Sequence, residues 1–256
     1  MHTDGFENEF WDEHKWEAHL EEVEKKSEQL RRFISSDQKG TTPRWITLLK
    51  ESLSEDDAVD AFIEEELLLD EAYFPEEEDE WDDDEFDDED FLFGSGEDSL
   101  FGEEEEEDDF DRGEEWKALS EDYTFSDYGS INNLELYNQA RLLAIDIIKW
   151  VEACPTNSRP KMLNEFVSDG LKIGAKLAGG YSFGFEQEYL GGNIAYTKRA
   201  LHFANNSLHY LQELKSFKGL NAELYTDFHA RLFELRNDVG IYIQELRDRF
   251  KYGFDN

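Results

Sequence analysis

Four apolar stripes with helical spacing run through residues 131–250 and constrain the fold more than any other feature of the sequence. Within each stripe the apolar residues recur after three or four positions, which is typical of a helix face that packs on a neighbouring helix. The intervening segments "CPTNSRP", "GGYSFG" and "FKGLN" contain residues that end or begin helices. Short connections favour antiparallel neighbours. We therefore predict an antiparallel four-helix bundle over residues 131–256.

Two further helices are predicted before the bundle, over residues 10–35 and 54–73. Ser54 is placed to cap the second of them, and Pro75 ends it. The segment between the two, "SSDQKGTTPRW", breaks the helical pattern. Two helices alone bury little apolar area, so they must pack on each other, on the bundle or on a partner. The sequence leaves these three alternatives open.

The net charge of -39 lies in the first half of the chain. Residues 1–75 carry -13, residues 76–115 carry -24, and residues 130–256 are neutral. We expect the acidic tract to be disordered in isolation, because burying so many like charges costs more than a few aromatic contacts return. The predicted organisation of this all-α chain is an acidic helical region over 1–75, then an acidic arm with a short transition over 76–130, then the bundle.

Large aromatic side chains interrupt the acidic arm at intervals. The residues predicted to bind a partner are Trp81, Phe86, Phe91, Phe93, Phe101 and Phe110. Acid blocks with interleaved Phe and Trp resemble the tails by which histone chaperones and nucleic-acid mimics hold basic proteins. The acids attract the partner, and the aromatic rings anchor beside its Lys or Arg side chains. The alternative is a linker that only keeps the chain soluble.

Six basic residues of the neutral bundle form a second candidate site, a patch for a polyanion. They are Arg159, Lys161, Lys172, Lys176, Lys198 and Arg199. The polyanion would be nucleic acid or the acidic tract of this protein, from the same or a neighbouring subunit. The other interpretation is a mixed, solvated surface.

No constellation of residues indicates catalysis. His202 and His209 share a helix face and Glu213 follows one turn later, but the Glu-x-x-His signatures of di-iron bundles are absent. We interpret both as ordinary surface or interface histidines. Cys154 ends a predicted helix on its apolar stripe and is interpreted as a small buried residue. We therefore predict no catalytic, cofactor-binding or metal-binding residues and no enzymatic activity.

The remaining sequence features bear on the cellular compartment and on the kind of partner that the net charge attracts. A single cysteine excludes an intrachain disulfide and fits the reducing cytoplasm. The sequence has neither a secretory signal nor an apolar run of the roughly 20 residues that span a bilayer. The large negative charge repels free nucleic acid and anionic membranes and attracts basic proteins. We predict a cytoplasmic location, no membrane association and a basic protein partner.

Three stretches of the bundle resemble a known family. They are "LYNQARLLAIDIIKWVEACP", "KIGAKLAGG" and "EYLGGNIAYTKRAL". The family is that of the small four-helix-bundle proteins encoded in 23S rRNA intervening sequences, which includes the accessory protein of diversity-generating retroelements. The resemblance implies an oligomeric bundle, often a pentameric ring, with a scaffold or nucleic-acid-related role and no catalysis.

Together these features predict a non-enzymatic, homo-oligomeric adaptor whose acidic arm binds a basic, nucleic-acid-associated partner. A second hypothesis is a nucleic-acid-binding bundle that its own acidic arm inhibits. A third is a bundle enzyme with a metal in its core. Under the first hypothesis nucleic acid is met indirectly, and under the second through the bundle itself.

Overall fold

A computed structural model describes most of the chain, namely residues 11–34, 42–71, 125–126, 129–155 and 159–253. These residues are almost entirely helical. The exception is a two-residue antiparallel pairing of Phe125–Ser126 with Gly129–Ser130. The predicted all-α class is confirmed.

Seven α-helices account for most of the described residues. Three come before the acidic arm: α1 Glu13–Ile34, α2 Arg44–Glu51 and α3 Glu55–Glu71. Four come after it: α4 Glu135–Glu152, α5 Lys161–Ser182, α6 Leu190–Glu213 and α7 Ala222–Tyr252. The cap predicted for the second helix is confirmed, because the Ser54 hydroxyl accepts a hydrogen bond from the Asp57 amide at 3.2 Å.

Helix α2 was not predicted, and the predicted interruption, "SSDQKGTTPRW", was wrong only at Arg44 and Trp45, the first two residues of the helix. The helix follows Pro43 and has only eight residues, too few for a periodic pattern to stand out. Trp45 and Leu48 are buried one turn apart on its inner face. Burial of these two side chains, and not helix propensity, holds the segment in place.

The core lies among the four C-terminal helices. Helix α4 packs on α5 and α7, α5 packs on α6, and α6 packs on α7. The predicted stripes supply this core, as shown by the complete burial of Val151, Phe166 and Leu232. Helices α2 and α3 add Trp45 and Phe62 to the same cluster. Of the alternatives that the sequence left open for the two predicted helices, packing on the C-terminal helices therefore holds for α3, which contacts α4 and α5.

Glycines allow α5 and α6 to approach each other closely. A Cβ atom on Gly179 would lie 2.9 Å from the ring of Tyr196, and one on Gly180 would lie 3.1 Å from the Asn193 carbonyl oxygen. The first distance is shorter than real Cβ atoms allow, and the second is shorter than most real contacts, so a side chain at either position would force its neighbour to shift. These glycines thus serve the close contact between the two helices.

Helix α1 packs on α6 through a small cluster that is separate from the main core. Trp16 and Leu20 of α1 meet Ala195 and Tyr196 of α6 there. A Cβ atom on Gly191 would overlap the Trp11 carbonyl oxygen and lie 2.9 Å from the Trp16 ring. The surface of α6 is thus shaped to receive the start of α1.

Replacing Gly191 with Ala tests this fit. Gly→Ala inside a helix ordinarily stabilises by about 1 kcal/mol. At this position the added methyl group overlaps the Trp11 backbone, directly before α1. We expect α1 to be displaced and the free energy of unfolding to fall by about 1–3 kcal/mol in urea denaturation. Gly174→Ala in α5 is the control, because its added Cβ lies no closer than 3.4 Å to a neighbouring side chain, an ordinary contact distance. Equal stability of the two variants would contradict the fit.

Candidate functional site

Four cations from three C-terminal helices line a surface that the N-terminal helices cover. They are Lys176 of α5, Lys198 and Arg199 of α6, and Arg247 of α7. We call this surface the cationic groove. Each of the four forms an ion pair with a carboxylate of α1 or α3. The chain therefore places its own acidic residues where an anionic ligand would lie.

Glu13 of α1 makes the best-defined of these contacts. Its two oxygens accept hydrogen bonds from Nε and Nη2 of Arg247, each at 2.8 Å, and Lys198 Nζ lies 3.6 Å away. The paired geometry is the one in which a guanidinium binds a carboxylate most strongly. The Arg247 hydrogen bond, aided by the charges of Lys198 and Arg247, lowers the pKa of Glu13 below the usual value, although burial opposes the shift.

Two more carboxylates of α1 extend the contact along the helix. Glu17 lies 2.5 Å from Lys198 Nζ, and Glu24 forms an ion pair with Arg199. Glu13, Glu17 and Glu24 recur on one side of the helix because they are separated by one and two turns. Three acids of α1 thus face three cations of α6 and α7.

Helix α3 covers the end of the groove that α5 forms. Glu66 is a buried carboxylate, only 4% exposed, and lies 3.9 Å from Lys176 Nζ. Lys176 is itself buried and stands over the ring of Tyr196, 5.5 Å from its centre. A buried charge is tolerated only when it is paired, so Glu66 and Lys176 depend on each other.

Aromatic rings of the covering segment meet aromatic rings of the groove beside these charges. The Trp16 and Phe183 rings meet edge to face with centres 4.9 Å apart, and Trp11 lies 5.2 Å from Trp16. Phe183 in turn contacts Tyr196 at 5.3 Å. The site therefore combines cations with an apolar surface. The α1 segment that covers it supplies both carboxylates and aromatic rings.

The six residues of the predicted polyanion patch fall into two groups. Lys176, Lys198 and Arg199 come together in the cationic groove. Lys172 lies on the same face of the helix pair, with its ammonium 5.1 Å from the centre of the Phe203 ring. The groove also includes Arg247, which the sequence analysis did not select.

Arg159 and Lys161 are not part of this group. Arg159 donates hydrogen bonds to the carbonyl oxygens of Val151 and Cys154 and stands over the Trp45 ring. It ties the connection between α4 and α5 to the core. Lys161 is exposed at the start of α5, about 22 Å along the helix axis from Lys176.

The six aromatic residues predicted to bind a partner lie outside the described residues. They are Trp81, Phe86, Phe91, Phe93, Phe101 and Phe110. Their role stays a prediction.

His202 and His209 are both exposed on α6, so neither points into the core where the third hypothesis needs a metal. The Cys154 thiol is buried, and its sulfur lies 3.4 Å from the Trp150 carbonyl oxygen. Burial raises the pKa of this thiol, which disfavours the reactive thiolate. No group of three or more His, Cys, Asp or Glu side chains in the described ranges is arranged to hold a metal ion.

The sequence analysis missed Arg247 and the three carboxylates of α1. Glu13, Glu17 and Glu24 carried a usable signal, because they line one side of a predicted helix. Arg247 carried none, since its partner is 234 residues away in the sequence.

No family model, curated protein or solved structure matches the chain. The resemblance of residues 131–250 to the intervening-sequence family therefore stays a prediction. Among the helices that the structure describes, none has the length and apolar character needed to cross a membrane.

Acid should release α1 before the C-terminal helices unfold. The pKa of Glu13 is lower in the folded chain than its ordinary value of 4.5, so its ion pairs stabilise α1 above that pH and are lost as the pH falls below it. Hydrogen exchange should show protection of α1 amides falling below about pH 4.5 while α6 stays protected. In a Glu13→Gln variant, α1 should be less protected at neutral pH and should change less on acidification. The same acid response in both chains would contradict the assignment.

Proposed function

We propose that the chain is a non-enzymatic interaction protein with two parts. Helices α4–α7 act as an antiparallel four-helix bundle for assembly, and the acidic arm binds a basic protein. The balance of charge is the observation that carries this proposal. The four cations of the cationic groove are already paired with α1 and α3, whereas residues 76–115 carry -24. A tract of this charge attracts a basic partner.

Contacts between neighbouring helices support the bundle. Arg231 of α7 donates to Asp146 of α4 at 2.7 Å, and Arg236 of α7 donates to Asn205 of α6 at 3.0 Å. Tyr196 of α6 lies against Gly179 of α5. Each contact joins helices that are adjacent in space in an up-and-down four-helix bundle. The small loops and continuous stripes agree with this arrangement.

The arm has the chemistry to recognise a Lys- or Arg-rich surface with apolar pockets. Its acids speed the encounter and make binding salt-dependent. Its Trp and Phe side chains add contacts with aliphatic stems and cation–π contacts with the basic heads. Such a segment loses conformational entropy on binding, so the aromatic anchors decide whether the complex lasts.

Changing Trp81, Phe86, Phe91, Phe93, Phe101 and Phe110 to Ser, with every acid kept, tests the role of the aromatics. We expect at least about 10-fold weaker binding to a Lys-rich peptide with interspersed Leu, because the anchors are lost while the attraction remains. Polylysine is the control probe and should bind both chains alike. Fluorescence anisotropy measures both affinities. Unchanged binding of the Leu-containing peptide would reduce the arm to a charged spacer.

Assembly through a second copy is supported by the outer face of α7. An uncharged stripe recurs there after four and three residues: Thr226, Ala230, Phe233, Asn237, Gly240 and Gln244. Phe233 is 51% exposed, and Ile241 beside the stripe is 58% exposed. Nothing lies within 4 Å of a Cβ built on Gly240, so another helix can approach closely. A neutral stripe on a chain of net charge -39 meets its own copy without repulsion at the contact.

Introducing charge into this stripe should dissociate the assembly. We expect Phe233→Glu with Ile241→Glu to give a monomer by light scattering at tens of micromolar, because two carboxylates would be buried at the contact. Leu142→Glu on α4 is the control, since Leu142 is equally exposed at 56% but lies outside the stripe. A wild-type monomer, or dissociation by both changes alike, would contradict a contact through α7.

A second candidate function is nucleic-acid binding by the bundle, inhibited by acidic segments of the chain. The occupation of Lys198, Arg199 and Arg247 by α1 favours it, because carboxylates there stand where phosphates would bind. In this case α1 shares the inhibitory role that the sequence analysis gave to the arm. Oligonucleotide binding by a chain with weakened α1 contacts separates the two candidates.

A further inference from the structure

Helix α1 is held less firmly than the other N-terminal helices. It contacts α6 through the small cluster of Trp16, Leu20, Ala195 and Tyr196, whereas α2 and α3 belong to the main core. Val23 of α1 is also buried, and the ion pairs that complete the attachment of the helix have partly exposed side chains. Salt screens such pairs, and few buried contacts mean a low cost of local opening. Helix α1 can therefore leave the cationic groove and expose its cations.

The residues by which α1 enters the groove recur in the acidic arm. The α1 set is Trp11, Glu13, Trp16 and Glu17. The arm set is Trp81, Asp83, Phe86 and Asp87. Both have an aromatic ring, an acid two residues on, a second aromatic five residues on and an acid six residues on. Glu13, Trp16 and Glu17 contact Arg247, Phe183 and Lys198. The Trp11 ring packs on Trp16, with ring centres 5.2 Å apart.

Described residues on either side of the acidic tract lie near the groove. Before the tract, Leu67 of α3 is in contact range of Gly179, and after it the Gly129 carbonyl accepts a hydrogen bond from Tyr181. Phe183, in the floor of the groove, follows Tyr181 by two residues. Nine residues separate Glu71 from Trp81, and the ten Cα–Cα steps between the two can span about 33 Å when extended. A tether this short gives an effective concentration on the order of millimolar.

We propose that the cationic groove is a binding site for acid–aromatic segments and that residues 81–93 of this chain are its second ligand, in exchange with α1. Asp83 and Asp87 take the places of Glu13 and Glu17 on Arg247 and Lys198. Phe86 takes the place of Trp16 against Phe183. An arm bound in this way is withheld from any outside partner. The proposal goes beyond the function proposed above, because it assigns a ligand to the groove and does not require a basic partner.

A labelled peptide of residues 78–95 tests the proposal by fluorescence anisotropy. The full chain carries Trp81→Ser and Phe86→Ser, so that its own arm cannot compete. In this background Glu13→Gln with Glu17→Gln weakens α1. The matched control is Glu21→Gln with Glu22→Gln, which changes two exposed acids of the same helix. We expect the peptide to bind the weakened chain at least about 10-fold more tightly than the control, because the cations of the groove are then free.

Changes in the groove show where the peptide binds. Adding Lys198→Glu and Arg199→Glu to the weakened chain should abolish binding. Lys215→Glu with Lys218→Glu changes the net charge equally at exposed positions after α6 and should leave binding unchanged. Circular dichroism checks that each variant keeps its helix content.

Four outcomes would overturn the proposal. These are equal binding to the weakened and control chains, equal loss in both charge-reversed chains, and undiminished binding of a peptide with Ser at Trp81 and Phe86. The fourth is tighter binding of a single-stranded oligonucleotide than of the peptide to the weakened chain, which would assign the groove to nucleic acid. None of these results depends on whether the arm binds a basic protein, so the two proposals fail separately.

Discussion

The close contact between α5 and α6 positions every element that packs on them. Gly179 and Gly180 leave α5 without side chains at two positions, and Asn193 and Tyr196 of α6 fill that space. The helices then present neighbouring outer faces, which α1 and α3 cover. A side chain at either glycine would push the two helices apart. The aromatic rings and cations that the helices carry would then move apart as well. The loss of helix propensity at these glycines, about 1 kcal/mol each, is offset by this contact.

The chain uses its acids in two ways, and apolar residues decide which. In α1 and α3 the acids share a helix with buried side chains such as Trp16, Leu20 and Phe62. Burial of these side chains brings the helix to the C-terminal helices, and its acids then neutralise nearby cations. Residues 76–115 of the arm carry a net charge of -24, and we propose that this charge attracts another, basic surface.

The periodic elements of the fold could be predicted from the sequence, and the site could not. The stripes from Tyr137 to Leu246 repeat within each helix, so they report which face is buried. The pairing of Glu13 with Arg247 joins residues 234 apart, and no local pattern carries that information. Lys198 and Arg199 were selected as basic residues, but their partners depend on how α1 docks. Helix α2 escaped prediction because eight residues give little more than two turns of pattern.

Helix α1 is attached by a small buried cluster and by ion pairs near solvent, and this combination distinguishes it from α3. It buries Trp16, Leu20 and Val23, which is enough to dock, but this cluster does not merge with the main core. Its ion pairs lie near solvent, where their contribution depends on salt and pH. Residues 81–87 have similar charge and aromatic spacing and, in our proposal, bind the same surface. Because only the difference between two binding free energies sets the occupancy, a modest change at Glu13 or Glu17 is enough to redistribute the ligands of the groove.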